Sequence, residues 1–151
     1  MRDNKGFTLI EIIAVMAIMA LAIGMAMPIF TKNLASVQLQ TDAQKMASLL
    51  RMARQQAMTS GQPKTVVFYP ANGKYKVNGS TSYYLHPGIG FIGATTFTTK
   101  QGGQPICGFS PAGAPSSGGT VTLGNGSERR YVIVNPVAGR VRISESPPTD
   151  W

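Results

Sequence analysis

Acidic residues are scarce in this chain of 151 residues, which has six Asp and Glu against fourteen Lys and Arg and a formal charge of +8. Beyond residue 31 the acids are Asp42, Glu128, Glu145 and Asp150. They are too scattered for the carboxylate-rich loop that calcium requires. The basic balance suits nucleic acid, anionic lipid or acidic protein partners. Cysteine is limited to Cys107, so no intrachain disulfide framework exists. With His86 the sole histidine, a Cys/His zinc set is absent too. His86 lies beside Pro87 in loop-like sequence, and no Ser, His and Asp constellation surrounds it, so neither catalysis nor a cofactor is expected. Gly88, Gly90 and Gly93 spell GxGxxG, but no strand leads in and no helix former follows, which leaves a glycine-rich turn.

What is present is one long apolar run, KGFTLIEIIAVMAIMALAIGMAMPIF over residues 5–30, behind a short basic leader. No ionisable side chain occurs from Ile12 to Thr31, and ~20 such residues in a helix span the ~30 Å hydrocarbon core of a bilayer. This run has no polar face, and a helix apolar all round belongs in lipid or deep inside a large protein, which disfavours a core helix here. A secretory signal peptide could be cut near Ala20-Leu21-Ala22, yet Glu11 is foreign to such a segment and the apolar run continues beyond it. A plain anchor leaves Glu11 unexplained, since a glutamate at mid-bilayer costs ~2.5–3.5 kcal/mol and needs a partner. Arg2 and Lys5 place the leader in the cytoplasm by the positive-inside rule. Pro28 inside the run predicts a helix kink, and Gly24 loosens the same region.

Gly6-Phe7-Thr8-Leu9-Ile10-Glu11, between the basic leader and the apolar run, resembles the processing site of type IV prepilins and pseudopilins. The resemblance implies that a prepilin peptidase cuts between Gly6 and Phe7 and that Phe7 is then N-methylated. It also implies that Glu11 pairs with the N-terminal amine of a neighbouring subunit during filament assembly. Physical chemistry agrees with each step. Glycine lets the scissile backbone be approached closely, and a cut before the apolar run keeps it as an anchor. Glu11 lies one helical turn from Phe7, so pairing within one chain is also open. Leader removal lowers the formal charge from +8 to +7. The expected organisation is a leader at 1–6 and a transmembrane, filament-core half-helix at 7–31. That arrangement is single-pass in inner-membrane lipid, with the rest of the chain periplasmic and later in a pilus or pseudopilus.

From residue 32 to 61 the pattern becomes amphipathic. Leu39, Ala43, Met46, Leu50, Ala53 and Ala57 recur at steps of three and four, and Gly61 with Pro63 closes the helix. Lys32, Lys45, Arg51 and Arg54 read as a solvated face. Residues 62–143 then read as a β-rich domain, near the small end of what can bury a core. TVVFY (65–69) and KYKV (74–77) flank a Pro/Asn-Gly turn, and TVTL (120–123) and RRYVIV (129–134) flank Gly124-Asn125-Gly126, which makes two hairpins. Residues 83–85 and 141–143 read as short strands, and residues 95–99 as extended. Residues 100–119 read as loop around a short segment at 106–109, and residues 144–151 as a mobile tail.

LLRMARQQAMTSGQPKTVVFY, with ICGFSPAGAPSSGGTVTL and RRYVIVNPVAGRVRI, resembles the GspH/FimT-type minor pseudopilins. That resemblance implies an α+β pilin fold, a long N-terminal helix packed on antiparallel β-sheets, in a subunit that joins other pilin or pseudopilin subunits. Gly139-Arg140-Val141-Arg142 matches the Gly-Arg-x-Arg segment with which FimT-type minor pilins bind DNA, so Arg140 and Arg142 are candidate DNA contacts. Arg129 and Arg130, on the preceding hairpin, extend the same basic group. Two guanidinium groups at alternate strand positions share a face, and arginine forks suit phosphate oxygens. The expected role is a FimT-like minor pilin that binds DNA without sequence preference during uptake. The alternative is the H-type minor pseudopilin of a type II secretion system.

Overall fold

The computed structural model describes residues 7–79 and 81–148, and within the helix it leaves out the side chains of residues 26–32. The leader, Gly6 and the kink expected at Pro28 lie outside the described residues. Helix α1 covers Leu9–Ser60. Its start is set by Thr8, whose hydroxyl accepts the Glu11 N–H at 3.3 Å while its carbonyl accepts the same N–H at 3.1 Å. Thr8 and Glu11 thus stand at the two positions of a T-x-x-E capping box, with an acid in the first turn where the helix dipole favours it.

The chain divides into two units, residues 1–34 and 35–151. In the first, the large apolar side chains from Leu9 to Met25 are exposed. Among the described residues no helix is long and apolar enough to cross a membrane.

In the second unit, α1 contributes Leu39, Ala43, Met46, Ala47, Leu50, Ala53 and Ala57 to the core, all at 0% exposure. Two antiparallel sheets supply the rest. Strands β1 (Lys64–Tyr69), β2 (Lys74–Val77), β3 (Thr81–Tyr84), β5 (Lys100–Gln101) and β6 (Gln104–Phe109) form one, in the order β3-β2-β1-β6-β5. Strands β4 (Gly90–Phe91), β7 (Gly119–Gly124), β8 (Arg129–Val134) and β9 (Val141–Ser144) form the other, in the order β4-β7-β8-β9. The fold is α+β. Phe68 of the first sheet stacks on Phe97 at 5.3 Å and meets Phe91 of the second edge-on at 6.5 Å, so aromatic contacts close the core between the sheets.

The β1–β2 turn is a single 3-10 turn over Pro70–Asn72, ended by Gly73 at φ +56° with its N–H on the Pro70 carbonyl. Proline at the first position and glycine at the left-handed one explain why the chain reverses there. The second hairpin pairs β7 with β8 from Gly119↔Val134 to Gly124↔Arg129. The expected loop at 100–119 needs correction. Its first half is a tight hairpin, β5–β6, turned by Gly102 and Gly103 at φ +57° and +79°, and β6 runs over six residues, Ile106 to Phe109 of them paired with β1. Glycine, glutamine and proline mask the strand in the sequence, because partners on β1 rather than local preference stabilise it. Residues 95–99 carry no regular strand, though Thr96 donates its N–H to the Thr120 carbonyl at 3.1 Å.

Candidate functional site

The arginines singled out by sequence sit on the second sheet and divide between its two faces. Val132 and Val134 point into the core, so strand alternation sends Arg130 the same way and Arg129, Tyr131 and Ile133 to the other face, where Ile133 is still buried. Arg130 donates through Nε to the Gln40 side-chain oxygen at 2.9 Å. Its Nη2 faces Glu145 at 3.1 Å and Glu128 at 3.5 Å. Its charge is therefore matched by two carboxylates, and it ties β8 to α1. Arg129 is exposed on the opposite face. Arg142 of β9 pairs with Ile133 of β8, on the face opposite Arg130, and is exposed.

Arg140 stands just before β9, at the end of a turn that its own sequence dictates. Asn135 accepts the Val137 and Ala138 N–H groups on its side-chain oxygen at 2.9 and 2.8 Å. Asn135 and Arg140 are joined through the backbone at 3.0 Å. Gly139 is buried at φ +62°, and a Cβ there would lie 2.7 Å from the Gly113 carbonyl oxygen. Glycine is thus required both by the backbone conformation and by the close approach of the neighbouring loop. Arg54 of α1 secures that loop by donating Nε to the Gly113 carbonyl at 3.0 Å, and Arg51 donates to the Val141 carbonyl at 2.9 Å.

The result is a cleft of about 490 Å³ whose walls carry Arg51, Arg54 and Arg140 around Gly139, and no acid lines it. The sequence reading took Arg51 and Arg54 as a solvated face. Their juxtaposition with Arg140 across nearly ninety residues of chain has no local signal, since packing of α1 on β9 creates it. Arg142 does not line the cleft. Chemically, the cleft offers three cations, two of them already oriented by backbone carbonyls, to an anionic oxygen.

A second polar feature also escaped the sequence reading. Asp42 is 2% exposed and accepts both the backbone N–H and the ring Nδ1 of His86 at 2.8 Å. An acid standing between Leu39 and Met46 inside an apolar stripe was the available clue. His86 accordingly holds the loop after β3 onto α1. Burial, with Asp42 and Tyr83 adding, pushes the Tyr75 phenol above its ordinary 10.0. Among the described residues no three His, Cys, Asp or Glu side chains cluster as a metal set. In the first unit, Phe7 and Glu11 are both exposed.

The family described as Type II transport protein GspH matches residues 42–139, and the Prokaryotic N-terminal methylation motif matches residues 1–27. Type II secretion system protein H of Xanthomonas campestris pv. campestris is 28% identical over 143 residues, 93% of this chain and 83% of that protein. The minor pseudopilin EpsH from the type 2 secretion system of Vibrio cholerae superposes with a TM-score of 0.59 at 14% identity, covering 72% of this chain and 97% of its own. The type IV minor pilin FimU of Pseudomonas aeruginosa superposes with a TM-score of 0.56 at 11% identity, covering 70% and 92%.

Proposed function

The chain belongs to the GspH family of type II transport proteins, and from that premise we propose that it is a peptidase-processed minor pseudopilin of the H type in a type II secretion filament. The observation that carries the reading is the joint presence, in one chain, of the GspH match at 42–139 and the N-terminal methylation motif at 1–27. In this reading the Gly6–Phe7 bond is cut, Phe7 is methylated, and residues 7–31 anchor the subunit in the inner membrane with the second unit in the periplasm. Glu11 then meets the amine of a neighbouring subunit as the filament assembles. Mass spectrometry of the membrane-bound native protein should find N-methyl-Phe7 as the first residue, and an intact leader would overturn the proposal. Deleting the gene should abolish export of folded proteins while leaving pilus-dependent motility and DNA uptake intact.

The arginines favour a second reading, a minor pilin that binds DNA. Arg140 in the cleft with Arg51 and Arg54, together with the outward Arg142 and Arg129, gives a cationic surface suited to phosphate oxygens. Arg130 contributes less, because Glu128 and Glu145 already face it. Binding should then be sequence-independent and fall steeply with salt. Arg140→Ala with Arg142→Ala in the processed protein should lower both affinity and the salt slope by about two phosphate contacts. Loss of DNA uptake with secretion intact on gene deletion would select this reading over the first.

A further inference from the structure

The outer face of the first sheet holds a second cationic surface, separate from the arginines. Between Asp42 and Glu128 the chain contains no Asp or Glu, and β1, β2 and β5 carry Lys64, Lys74, Lys76 and Lys100. Strand register shows which residues look outward. Val66, Phe68, Tyr75 and Val77 fill the core, so their alternates form the rows on the opposite face. One row crosses β1, β2 and β3 as Tyr69, Lys74 and Tyr84. The next runs from Ile106 of β6 through Val67 and Lys76 to Ser82. The Lys74 ammonium sits 5.6 Å from the Tyr69 ring and 5.7 Å from the Tyr84 ring. Tyr84 is 62% exposed.

Beside these rows a groove of about 680 Å³ follows β1, floored by Val67 and Tyr69, with Lys76 and Asn78 on one side and Gln101 and Gln104 on the other. Among the described residues no acid lines it. The acids described in this unit are used elsewhere: Asp42 on His86, and Glu128 and Glu145 on Arg130. Side-chain amides both donate and accept, as a peptide backbone requires. Tyrosine over an apolar floor with a charged rim is the composition of protein interfaces. The cations here are all lysine, point charges that suit single carboxylates, whereas the forked arginines that suit phosphates are confined to α1 and the second sheet.

We propose that this groove docks an acidic, extended segment of a neighbouring filament subunit. The identity of the partner rests on the filament reading above, while the acidic chemistry rests on the groove alone. The test uses the full-length, peptidase-processed protein in detergent and a labelled peptide of alternating glutamate and serine, read by fluorescence anisotropy at low salt. Saturable binding should weaken about tenfold in Lys74→Glu with Lys76→Glu and stay unchanged in Arg140→Ala with Arg142→Ala. Should the reversed double variant fail to fold, Lys76→Gln alone should still flatten the salt dependence. No binding, binding indifferent to the lysines, or tighter binding of a thymidine oligonucleotide to the same face overturns the acidic-peptide assignment. In cells, a photo-reactive residue at Gln104 should cross-link to a protein bearing its own methylated N-terminal phenylalanine. Cross-linking only to exported cargo, or none, overturns the neighbouring-subunit assignment. Mass spectrometry of this protein's own N-terminus separates the two failures: a processed chain without docking sinks the groove, and an unprocessed chain sinks the filament reading.

Discussion

Gly139 shows how one side chain, or its absence, positions a site. Its φ of +62° and the 2.7 Å that a Cβ would leave to the Gly113 oxygen are two independent penalties for any larger residue. Gly139→Ala should destabilise the protein by about 1–3 kcal/mol in chemical denaturation and should loosen Arg140 from the arginine cleft, because the turn that aims it would reopen. Cys107 makes the opposite case, a reactive group made inert. It is fully buried, and burial pushes its thiol from 9.0 up to about 12. Above pH 9.0 the unfolded chain ionises this thiol while the folded chain does not until about pH 12, so stability intact below that window is lost as pH rises through it. Tyr75, raised for the same reason, acts in the same direction. Equilibrium unfolding measured across the alkaline range should show this decline, and Cys107→Ala should flatten it while costing stability at neutral pH through the cavity it leaves.

At the scale of the element, the C-terminal part of α1 owes its place to small residues. Ala43, Ala47, Ala53 and Ala57 alternate with Leu39, Met46 and Leu50 along the buried face, which lets the helix backbone approach the sheets while the larger side chains fill the gaps. Ala53→Leu should therefore overpack the interface and cost about 1–3 kcal/mol, and Leu50→Ala should cost about 2–5 kcal/mol by leaving a cavity, both read from thermal or denaturant unfolding. This face was legible in the sequence because a 3.6-residue period is a local signal. The same holds for the two hairpins, whose turns announce themselves as Pro-Ala-Asn-Gly and Gly-Asn-Gly. Strand β6 was legible only in part. Gln104, Pro105 and Gly108 have little strand preference; Gln104 and Pro105 pair only with the two residues of β5, and the pairing of Ile106–Phe109 with β1 is a long-range fact. The arginine cleft fails to show for the same reason: Arg140 and Arg142 lie together in sequence, but Arg51 and Arg54 reach Arg140 only through tertiary packing. Asp42 was legible in principle, as an acid inside an apolar stripe, yet its partner His86 is 44 residues away.

For the whole molecule, the helix-capping place of Glu11 can be separated from the assembly role proposed for it. Glu11 stands three residues after the capping Thr8, whose hydroxyl receives the Glu11 N–H, so part of its value lies in starting the helix. A glutamine at that position preserves the capping-box pattern, which accepts Glu or Gln alike, but cannot offer a charge to an ammonium group. In the proposed filament, the freed Phe7 amine of one subunit meets this carboxylate in a lipid setting, where a charge-assisted hydrogen bond is worth about 1.5–3 kcal/mol. Glu11→Gln should therefore leave cleavage at Gly6–Phe7 and membrane retention unchanged, and reduce incorporation into sheared filaments by about tenfold or more. Quantitative immunoblotting of membrane and filament fractions measures all three. Wild-type incorporation of the glutamine variant would reduce Glu11 to a helix cap, and the amine would then need another acid. Among the described residues of the second unit, Asp42 is buried on His86, and Glu128 and Glu145 already face Arg130.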